Sequence, residues 1–351
     1  MNRFYCVVTF LLLLVFELSA QETPPIEIFS PKDYGAENQN WGVSQSKDKN
    51  IYIANNKGLL EYNGAAWKLY DSPNETIIRS VNVIDDIIYT GCYREFGCWK
   101  KNDFGSLDYT SLSQRLNISF LDDEEIWNII DVDEWVLFQS LKRIYIYNKR
   151  EGTYSIIDSK TTIYKIFKVN ESIYYQKTKD GIYKIENGKS ALVTNDNVVK
   201  ENLLVNMFYH LGKLMIETED NGFYFFENDI LNKWEIPANN VISSVSVYRS
   251  IQLRDNSFIL GTIADGIFHL LPNGELDYQI NNFNGLSNNT VQSIYEDLEN
   301  NIKEIQNLIK FVSKSGVEEV KIEREDFKIT IKTKKNITQQ IVVDDTTKIP
   351  V

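Results

Sequence analysis

A repeat of about 40 residues is the feature that most constrains the fold of this sequence. Each unit contains a short strand, a polar turn, a second strand, a turn with glycine and an aromatic-rich third strand. The aligned first strands begin at Trp41, Arg79, Trp127, Tyr164, Asn206, Tyr248 and Gln292. A period of about 40 residues, with three or four strands per unit, predicts a β-propeller in which each unit forms one blade.

The second and third strands are short runs of β-branched and aromatic residues, bounded by Asn, Asp, Gly and Lys. In the first unit they cover residues 51–54 and 58–62, and in the fifth unit residues 214–217 and 222–226. This composition is typical of strands joined by tight turns, and no helical periodicity occurs over the span. We therefore predict an all-β fold for residues 21–301, with six propeller blades and the first strand of a truncated seventh.

A truncated seventh blade would leave the ring open, with strand edges that lack partners. Such edges favour self-association of the chain. The run 26–29, Ile-Glu-Ile-Phe, could instead add an outer strand to the last blade and cover one of these edges.

Residues 1–20 have the pattern of a signal peptide for export. Asn2 and Arg3 give a weakly positive start, residues 5–16 are almost wholly apolar, and residues 18–20 have the composition of a cleavage site. A membrane anchor is the alternative, but the apolar run is shorter than the roughly 18–20 residues of a membrane span. We expect a periplasmic or otherwise exported protein without a membrane span beyond its signal peptide.

The charge balance and the motif content exclude several functions. The chain has 49 Asp and Glu residues against 37 Lys and Arg, and this net charge of -12 argues against a nucleic-acid partner. With His210 and His269 as its two histidines, a His-rich metal site is not expected. Phosphate loops, dinucleotide fingerprints and hydrolase motifs are absent, and the acidic run 122–125 lacks the spacing of a calcium loop. No catalytic residue, metal site or cofactor is therefore predicted.

Two cysteines, Cys92 and Cys98, remain after removal of the signal peptide and flank a short turn. In an oxidising compartment they could form a disulfide. They could also be two small residues of the core, and the sequence leaves both possibilities open.

The innermost strands of a propeller line its central channel, so the seven aligned positions are the candidate ligand-binding residues. Their aromatic, Arg, Asn and Gln side chains suit a sugar or another polar small molecule. Packing between blades is the alternative role for several of them. A turn formed by Tyr93, Arg94 and Glu95 is a second candidate site, at the rim of the channel.

Three segments resemble a known family. Residues 284–301 are similar to the two-component-regulator propeller repeat, residues 34–44 and 58–64 resemble its first blade, and residues 89–97 its second. This family consists of exported triple-tyrosine sensor proteins of Bacteroidetes-type bacteria. The resemblance implies a ligand-sensing propeller, with carbohydrate or a degradation product as the ligand class. The family's β-sandwich, membrane helix and output module are not expected within these 351 residues.

The pattern changes after residue 301. Apolar residues at helical spacing cover 302–316, and two alternating strands are predicted between 320 and 333. Residues 302–335 resemble the N-terminal region of the biotin carboxyl carrier protein of acetyl-CoA carboxylase, and residues 336–351 resemble its flexible linker. Because that family's Ala-Met-Lys-Met turn is absent, no biotin attachment site is predicted.

We interpret the chain as a truncated, exported ligand-sensing propeller joined to a fragment of a cytosolic carrier. The junction is either a genuine gene fusion or the product of a frameshift, deletion or assembly error. The alternative function is that of a non-biotinylated biotin-carrier fragment acting in fatty-acid synthesis. A propeller lyase or glycosidase is a third possibility, and the lack of carboxylates and histidines at the seven channel positions argues against it.

Overall fold

The computed structural model describes residues 26–297, together with the backbone of residues 319–323 and 328–332. The predicted signal peptide, the helix expected over 302–316 and the predicted linker lie outside the described residues. The chain divides into two units, Met1–Glu296 and Asp297–Val351.

Turn residues with left-handed backbone angles set the boundaries of many strands. Asp85 and Asp86 have φ angles of 50° and 61°, and Asn187 and Gly188 have φ angles of 50° and 71°. Two consecutive positive φ angles are typical of the two-residue turns that join antiparallel strands. Asn, Asp and Gly adopt these angles with the least strain. The polar pairs between the apolar runs therefore fold the chain into successive hairpins.

Within residues 26–297 the strands form six four-stranded antiparallel sheets, each with its strands in chain order and each forming one blade. The first three blades contain β1 (Asn40–Gln45), β2 (Ile51–Asn55), β3 (Gly58–Tyr62), β4 (Trp67–Asp71), β5 (Ser80–Ile84), β6 (Ile87–Cys92), β7 (Glu95–Lys101), β8 (Leu107–Ser111), β9 (Asn128–Val132), β10 (Trp135–Gln139), β11 (Arg143–Asn148) and β12 (Tyr154–Asp158). The last three contain β13 (Ile163–Val169), β14 (Ser172–Lys177), β15 (Gly181–Glu186), β16 (Lys189–Thr194), β17 (Leu204–His210), β18 (Lys213–Thr218), β19 (Gly222–Glu227), β20 (Ile230–Lys233), β21 (Val247–Gln252), β22 (Phe258–Thr262), β23 (Ile267–Leu270) and β24 (Leu276–Ile280). The six predicted blades are confirmed, and each has a fourth, outer strand.

Side chains alternate between the two faces of each blade. In blades two to five, both faces are buried against a neighbouring blade. In β10, Val136 and Phe138 pack against blade two, whereas Leu137 packs against blade four. Five apolar clusters arise in this way, each between consecutive blades. The described residues contain no such cluster between blade six and blade one. The near-continuous apolar strands of the sequence are explained by this burial on two sides.

The interface between blade six and blade one is built differently. The chain after β24 forms no strand as far as residue 297. Residues 286–288 and 290–293 line one side of a cleft of about 680 Å³ whose other side is blade one. The backbone amide of Val291 donates to the Thr262 carbonyl at 2.9 Å, which holds this segment on blade six. The predicted first strand of a seventh blade is therefore not formed within the described residues, which supply no second strand to pair with it.

The N-terminal run does not extend blade six. Residues 26–29 form no strand, and Phe29 packs against Tyr62 and Trp67 of blade one, with ring centroids 5.1 and 5.3 Å apart. The side chain of Ile26 lies beside Gly285 and leaves no room there for a β-carbon. Because residues 26–29 form no strand, the expectation that they supply an outer strand to the last blade is wrong.

The remaining described elements are short. The connections contain the single-turn helices α1 (Pro31–Tyr34), α2 (Leu112–Arg115), α3 (Asn197–Glu201) and α4 (Asn239–Ile242). None of the helices in the described part of the chain is long and apolar enough to span a membrane. In the second unit, β25 (Glu319–Glu323) and β26 (Lys328–Lys332) form an antiparallel hairpin, in agreement with the two strands predicted there.

Candidate functional site

The innermost strands of consecutive blades, from β1 to β21, lie side by side, and the predicted channel residues lie at or near their beginnings. All seven are half-buried: Trp41, Tyr164, Asn206 and Tyr248 lie in these strands, Arg79 and Trp127 immediately before them, and Gln292 after blade six. Because every blade repeats the same strand order, the beginnings of the inner strands lie at one end of the ring. The candidate residues therefore surround one mouth of the channel.

In blades one to three the candidate residues form an aromatic and charged cluster. The Arg79 guanidinium lies 4.2 Å from the ring centroid of Trp41 and 4.9 Å from that of Trp127. The two indole rings meet edge to face with centroids 6.1 Å apart. Residues of blades one and three can meet across blade two only near the axis, so this cluster borders the channel.

Arg79 is also paired with a carboxylate. Its Nε and Nη2 donate to the two carboxylate oxygens of Glu125 at 3.1 and 3.2 Å. Both side chains are largely buried, with 14% and 23% of their surface exposed. Glu125 lies in the loop before β9, which the buried Glu124 anchors by accepting from Ser140 and Tyr145. The acidic run that contains both glutamates therefore makes contacts inside the protein in addition to forming a turn.

The predicted rim turn packs against the same loop. The backbone amide of Arg94 donates to this loop at 2.7 Å, and Tyr93 forms a β-bridge with it. Arg94 is exposed, whereas Glu95 is buried and accepts from the hydroxyls of Tyr109 and Ser111 at 2.8 Å each. Of the three predicted rim residues, Glu95 is thus buried and hydrogen-bonded within blade two.

A second cluster lies in blades four to six. Burial raises the pKa of the Tyr164 hydroxyl, and the nearby Glu219 and Tyr248 contribute in the same direction. Arg249 follows Tyr248 in β21, and its guanidinium lies 4.7 Å from the centroid of that ring. Its Nε donates to the Gln292 carbonyl at 3.0 Å. Tyr164 and Tyr248 belong to blades four and six, so this cluster also borders the axis.

Lys165 follows Tyr164 and belongs to the same cluster. Its Nζ donates to the Val205 carbonyl of blade five at 2.7 Å, and part of the side chain remains accessible. Because it lies deep within the ring of blades, its pKa is lowered well below the ordinary value, and Arg249 adds to this effect. A cation in such a place is stabilised when an anion lies beside it.

Glu217 of β18 is fully buried next to this cluster. The Ser250 hydroxyl donates to one of its carboxyl oxygens, and the other has no hydrogen-bond partner among residues 26–297. Burial raises the pKa of Glu217 to about 8, against the opposing effects of Ser250 and Lys165. Glu217 therefore carries a proton at neutral pH, and Lys165 gains no charged carboxylate partner from it.

Two of the predicted channel residues join neighbouring parts of the chain. The Asn206 side-chain amide donates to the Ser250 carbonyl at 2.7 Å and ties blade five to blade six. The Gln292 carbonyl accepts from Arg249, and the residue lines the cleft between blade six and blade one. For Asn206 the alternative role, packing between blades, is the one that these contacts favour.

The alignment of first strands missed the residues beside the predicted ones. Lys165 and Arg249 directly follow the predicted tyrosines, and β-bulges at the beginnings of β13 and β21 break the regular alternation of side chains there. In β17 the bulge falls at Val205, so Asn206 lies one position beyond the equivalent of Tyr248. A Lys or Arg inside an otherwise apolar strand is the signal that could have identified these positions.

Carboxylates were also missed. The seven channel positions contain no carboxylate, but Glu125 approaches the channel mouth from a loop and Glu217 from a second strand. Neither element belongs to the register of first strands. The missing carboxylates therefore do not by themselves exclude acid–base chemistry at this mouth.

The two cysteines are free and buried. In the pairing of β6 with β7, Cys92 lies opposite Glu95 and Cys98 lies opposite Tyr89, so the two thiols point to opposite faces of blade two. Cys92 packs in the cluster shared with blade one, and Cys98 in the cluster shared with blade three. The disulfide is not formed, and the alternative of two core residues is the one observed.

Several solved structures share this fold. The extracellular domain of a protein named as a hybrid two-component system of B. thetaiotaomicron matches with a TM-score of 0.59 and 14% identity, over 78% of this chain and 39% of its own. A second extracellular domain from that organism, named as a one-component system, matches with a TM-score of 0.56 and 18% identity, over 75% and 37%. YCF48 bound to D1 peptide matches with a TM-score of 0.53 and 12% identity, over 73% and 88%.

At these identities the likeness is one of fold. This chain spans less than two fifths of the two regulator domains. The scan against family models and the search of curated proteins give no match. None of these comparisons supports the resemblance of residues 302–335 to the biotin carrier.

Proposed function

We propose that this chain forms the propeller of an exported sensor in a bacterial signal-transduction regulator, and that it binds a small polar ligand at the channel mouth. Support comes from the fold shared with extracellular regulator domains. Residues 284–301, which resemble the regulator propeller repeat, point in the same direction. The observation that carries the proposal is the cluster in which Arg79 lies between Trp41 and Trp127.

This cluster offers two kinds of contact. The indole rings of Trp41 and Trp127 present apolar surface, and Trp127 also carries a polar N–H group, whereas the N–H of Trp41 donates to Asn56. Apolar surface combined with polar groups suits the mixed surface of a sugar. Arg79 is held in place by Glu125, so little side-chain freedom is lost when its remaining donors bind a ligand. The three residues come from three blades, so a ligand here would contact all three at once.

Carbohydrate is the ligand class that the family resemblance implies. A peptide is the competing class, because the neighbour YCF48 is bound to one. Both classes fit a concave site with aromatic and polar residues. Binding measurements with the two kinds of ligand distinguish them.

Isothermal titration of the full chain with panels of neutral oligosaccharides, acidic oligosaccharides and short peptides tests the proposal. We expect oligosaccharides to bind, and Trp41→Ala and Trp127→Ala each to weaken binding about tenfold or more. Phe104→Ala is the control, because Phe104 is 93% exposed at a turn between the two outer strands of blade two. Equal affinities of the Trp127→Ala and Phe104→Ala variants, or binding of peptides alone, would contradict the proposal.

A further inference from the structure

The two arginines at the channel mouth differ in their partners. Arg79 forms an ion pair in which two of its nitrogens donate to the carboxylate of Glu125. Arg249 donates from Nε to the backbone carbonyl of Gln292 and forms no ion pair with any carboxylate of residues 26–297. The outer nitrogens of its guanidinium, which form the planar fork that recognises carboxylates, therefore have no protein partner in this range.

Lys165 is in the same situation. In its charged form Lys165 has three donors and uses one of them on the Val205 carbonyl. Burial lowers its pKa, so a bound anion is what would favour this charged form. Glu217 lies near enough to affect its charge, but the two form no ion pair within 4.0 Å, and burial keeps Glu217 protonated at neutral pH. Glu219, the other carboxylate near Tyr164, accepts from the Ser246 hydroxyl at 2.7 Å.

The free carboxyl oxygen of Glu217 is a second, independent observation. A fully buried polar atom without a partner is rare in native proteins and calls for a group that completes its hydrogen bond. Glu217 lies near Lys165, which in turn lies near Arg249, and both cations have unused donors. Blades four to six therefore bring a buried carboxyl oxygen without a partner together with two cationic side chains that have unused donors.

We propose that blades four to six bind the acidic group of the ligand, with a sugar carboxylate held between the Arg249 guanidinium and the Lys165 ammonium. This inference rests on the function proposed above and names the ligand class, an oligosaccharide that contains a uronic acid. The ligand carboxylate supplies a negative charge beside these two cations, which form no ion pair with a carboxylate of the described residues. The two bonds that a guanidinium fork donates to one carboxylate fix the orientation of the sugar.

Matched pairs of ligands test this proposal on the full chain. Oligogalacturonides and oligosaccharides containing glucuronic acid are titrated beside the same oligosaccharides with their carboxyl groups reduced to alcohols. We expect at least one acidic oligosaccharide to bind about tenfold or more tightly than its reduced form, because hydrogen bonds between charged groups are the stronger ones. The preference should weaken when salt is raised from about 50 to about 500 mM.

Variants test which residues cause the preference for the acidic ligand. Arg249→Gln and Lys165→Met should each weaken binding of the acidic ligand far more than binding of its reduced form, and Arg249→Lys should retain part of the preference. Arg150→Gln is the control, because Arg150 is an exposed arginine in an outer turn of blade three. Thermal melting confirms that each variant is folded, and if one of the two main variants does not fold, the other decides.

The outcomes separate this inference from the proposed function. If acidic and reduced ligands bind equally and Trp127→Ala weakens both, the sensor function stands and the acidic subsite is wrong. If inorganic phosphate or sulfate competes as strongly as the acidic oligosaccharides bind, the assignment to a sugar carboxylate is wrong. If no oligosaccharide binds, the proposed function and this inference both fail.

Discussion

Blades one to three and blades four to six form the same channel mouth by different means. In the first half, Arg79 is neutralised by Glu125 and lies between two indole rings. In the second half, Arg249 and Lys165 keep unused donors next to a buried, protonated Glu217. Position in the repeat sets where a side chain lies, whereas its partners in other elements determine what it can bind.

The segments that follow blade two and blade six also differ. The space beside one glycine in each of these blades shows the difference. A β-carbon on Gly91 would lie 2.5 Å from Cγ2 of Ile126, and a β-carbon on Gly261 would lie 2.6 Å from Cγ1 of Val291. Ile126 is buried and lies just before blade three, which has four strands. Val291 belongs to a segment that pairs with no strand among the described residues. The neighbour of Gly261 is therefore freer to shift.

We expect Gly91→Ala to lower the free energy of unfolding by about 3 kcal/mol and Gly261→Ala by about 1 kcal/mol, because overpacking costs most where neighbours cannot move. Urea denaturation followed by tryptophan fluorescence measures both losses. Equal losses would show that the segment beginning at Val291 is held as firmly as blade three.

The buried carboxyl group predicts an unusual pH dependence of stability in the second half. The pKa of Glu217 is about 8 in the folded protein against an ordinary value of 4.5, so between these values the folded state binds more protons than the unfolded state. Stability contributed by this group is therefore present at acidic pH and lost as the pH rises through the window. Lys165 acts in the opposite sense, because its lowered pKa favours the folded state as the pH rises toward 10.5.

Glu217→Gln removes the titration while keeping the shape of the side chain. Between about pH 5 and pH 8 the unmodified protein should lose on the order of 2 kcal/mol of unfolding free energy relative to this variant. Denaturant titrations of both proteins across this range provide the measurement. If the unfolding free energies of the two proteins change with pH in parallel, Glu217 does not hold its proton in the folded state. The charge difference between the two halves of the channel mouth would then be smaller.

The smallest expected effect concerns the ion pair of the first half. Arg79→Gln leaves the largely buried Glu125 without its partner and should cost about 1–2 kcal/mol of unfolding free energy. Arg249→Gln removes one hydrogen bond to a backbone carbonyl and should cost less than about 1 kcal/mol. A double-mutant cycle of Arg79→Gln with Glu125→Gln isolates the coupling of the pair. If Arg249→Gln is the more destabilising change, Arg249 has a structural role that its contacts do not show.

Much of the fold could be predicted because its signals are local. The polar pair Asp85–Asp86 marks a turn by its own backbone preference, and the apolar runs on either side mark the paired strands. Repetition of this unit with a constant period implies a ring of blades. The first-strand alignment also located Trp41, Arg79 and Trp127, which the structure brings into contact.

The rest depended on contacts between distant elements. Cys92 and Cys98 are close in sequence, but the pairing of their strands turns the thiols to opposite faces of a blade. Lys165 and Arg249 directly follow the aligned residues, and in a regular strand their side chains would point to the opposite face. The inner strands are bulged there, and bulges are set by pairing with the neighbouring strand. Residues 291–297 have the composition of a strand, but the described chain contains no partner for them.

The sequence by itself determined the all-β composition and the number of blades, since these follow from turn chemistry and from the spacing of the repeat. The tertiary structure alone decided which charges are paired. Arg79 meets Glu125 across 46 positions of sequence, whereas Arg249 has no carboxylate partner among the described residues. The physical reason is that a charge is balanced by whatever lies within a few ångströms in space, and the spacing of a repeat does not encode that distance.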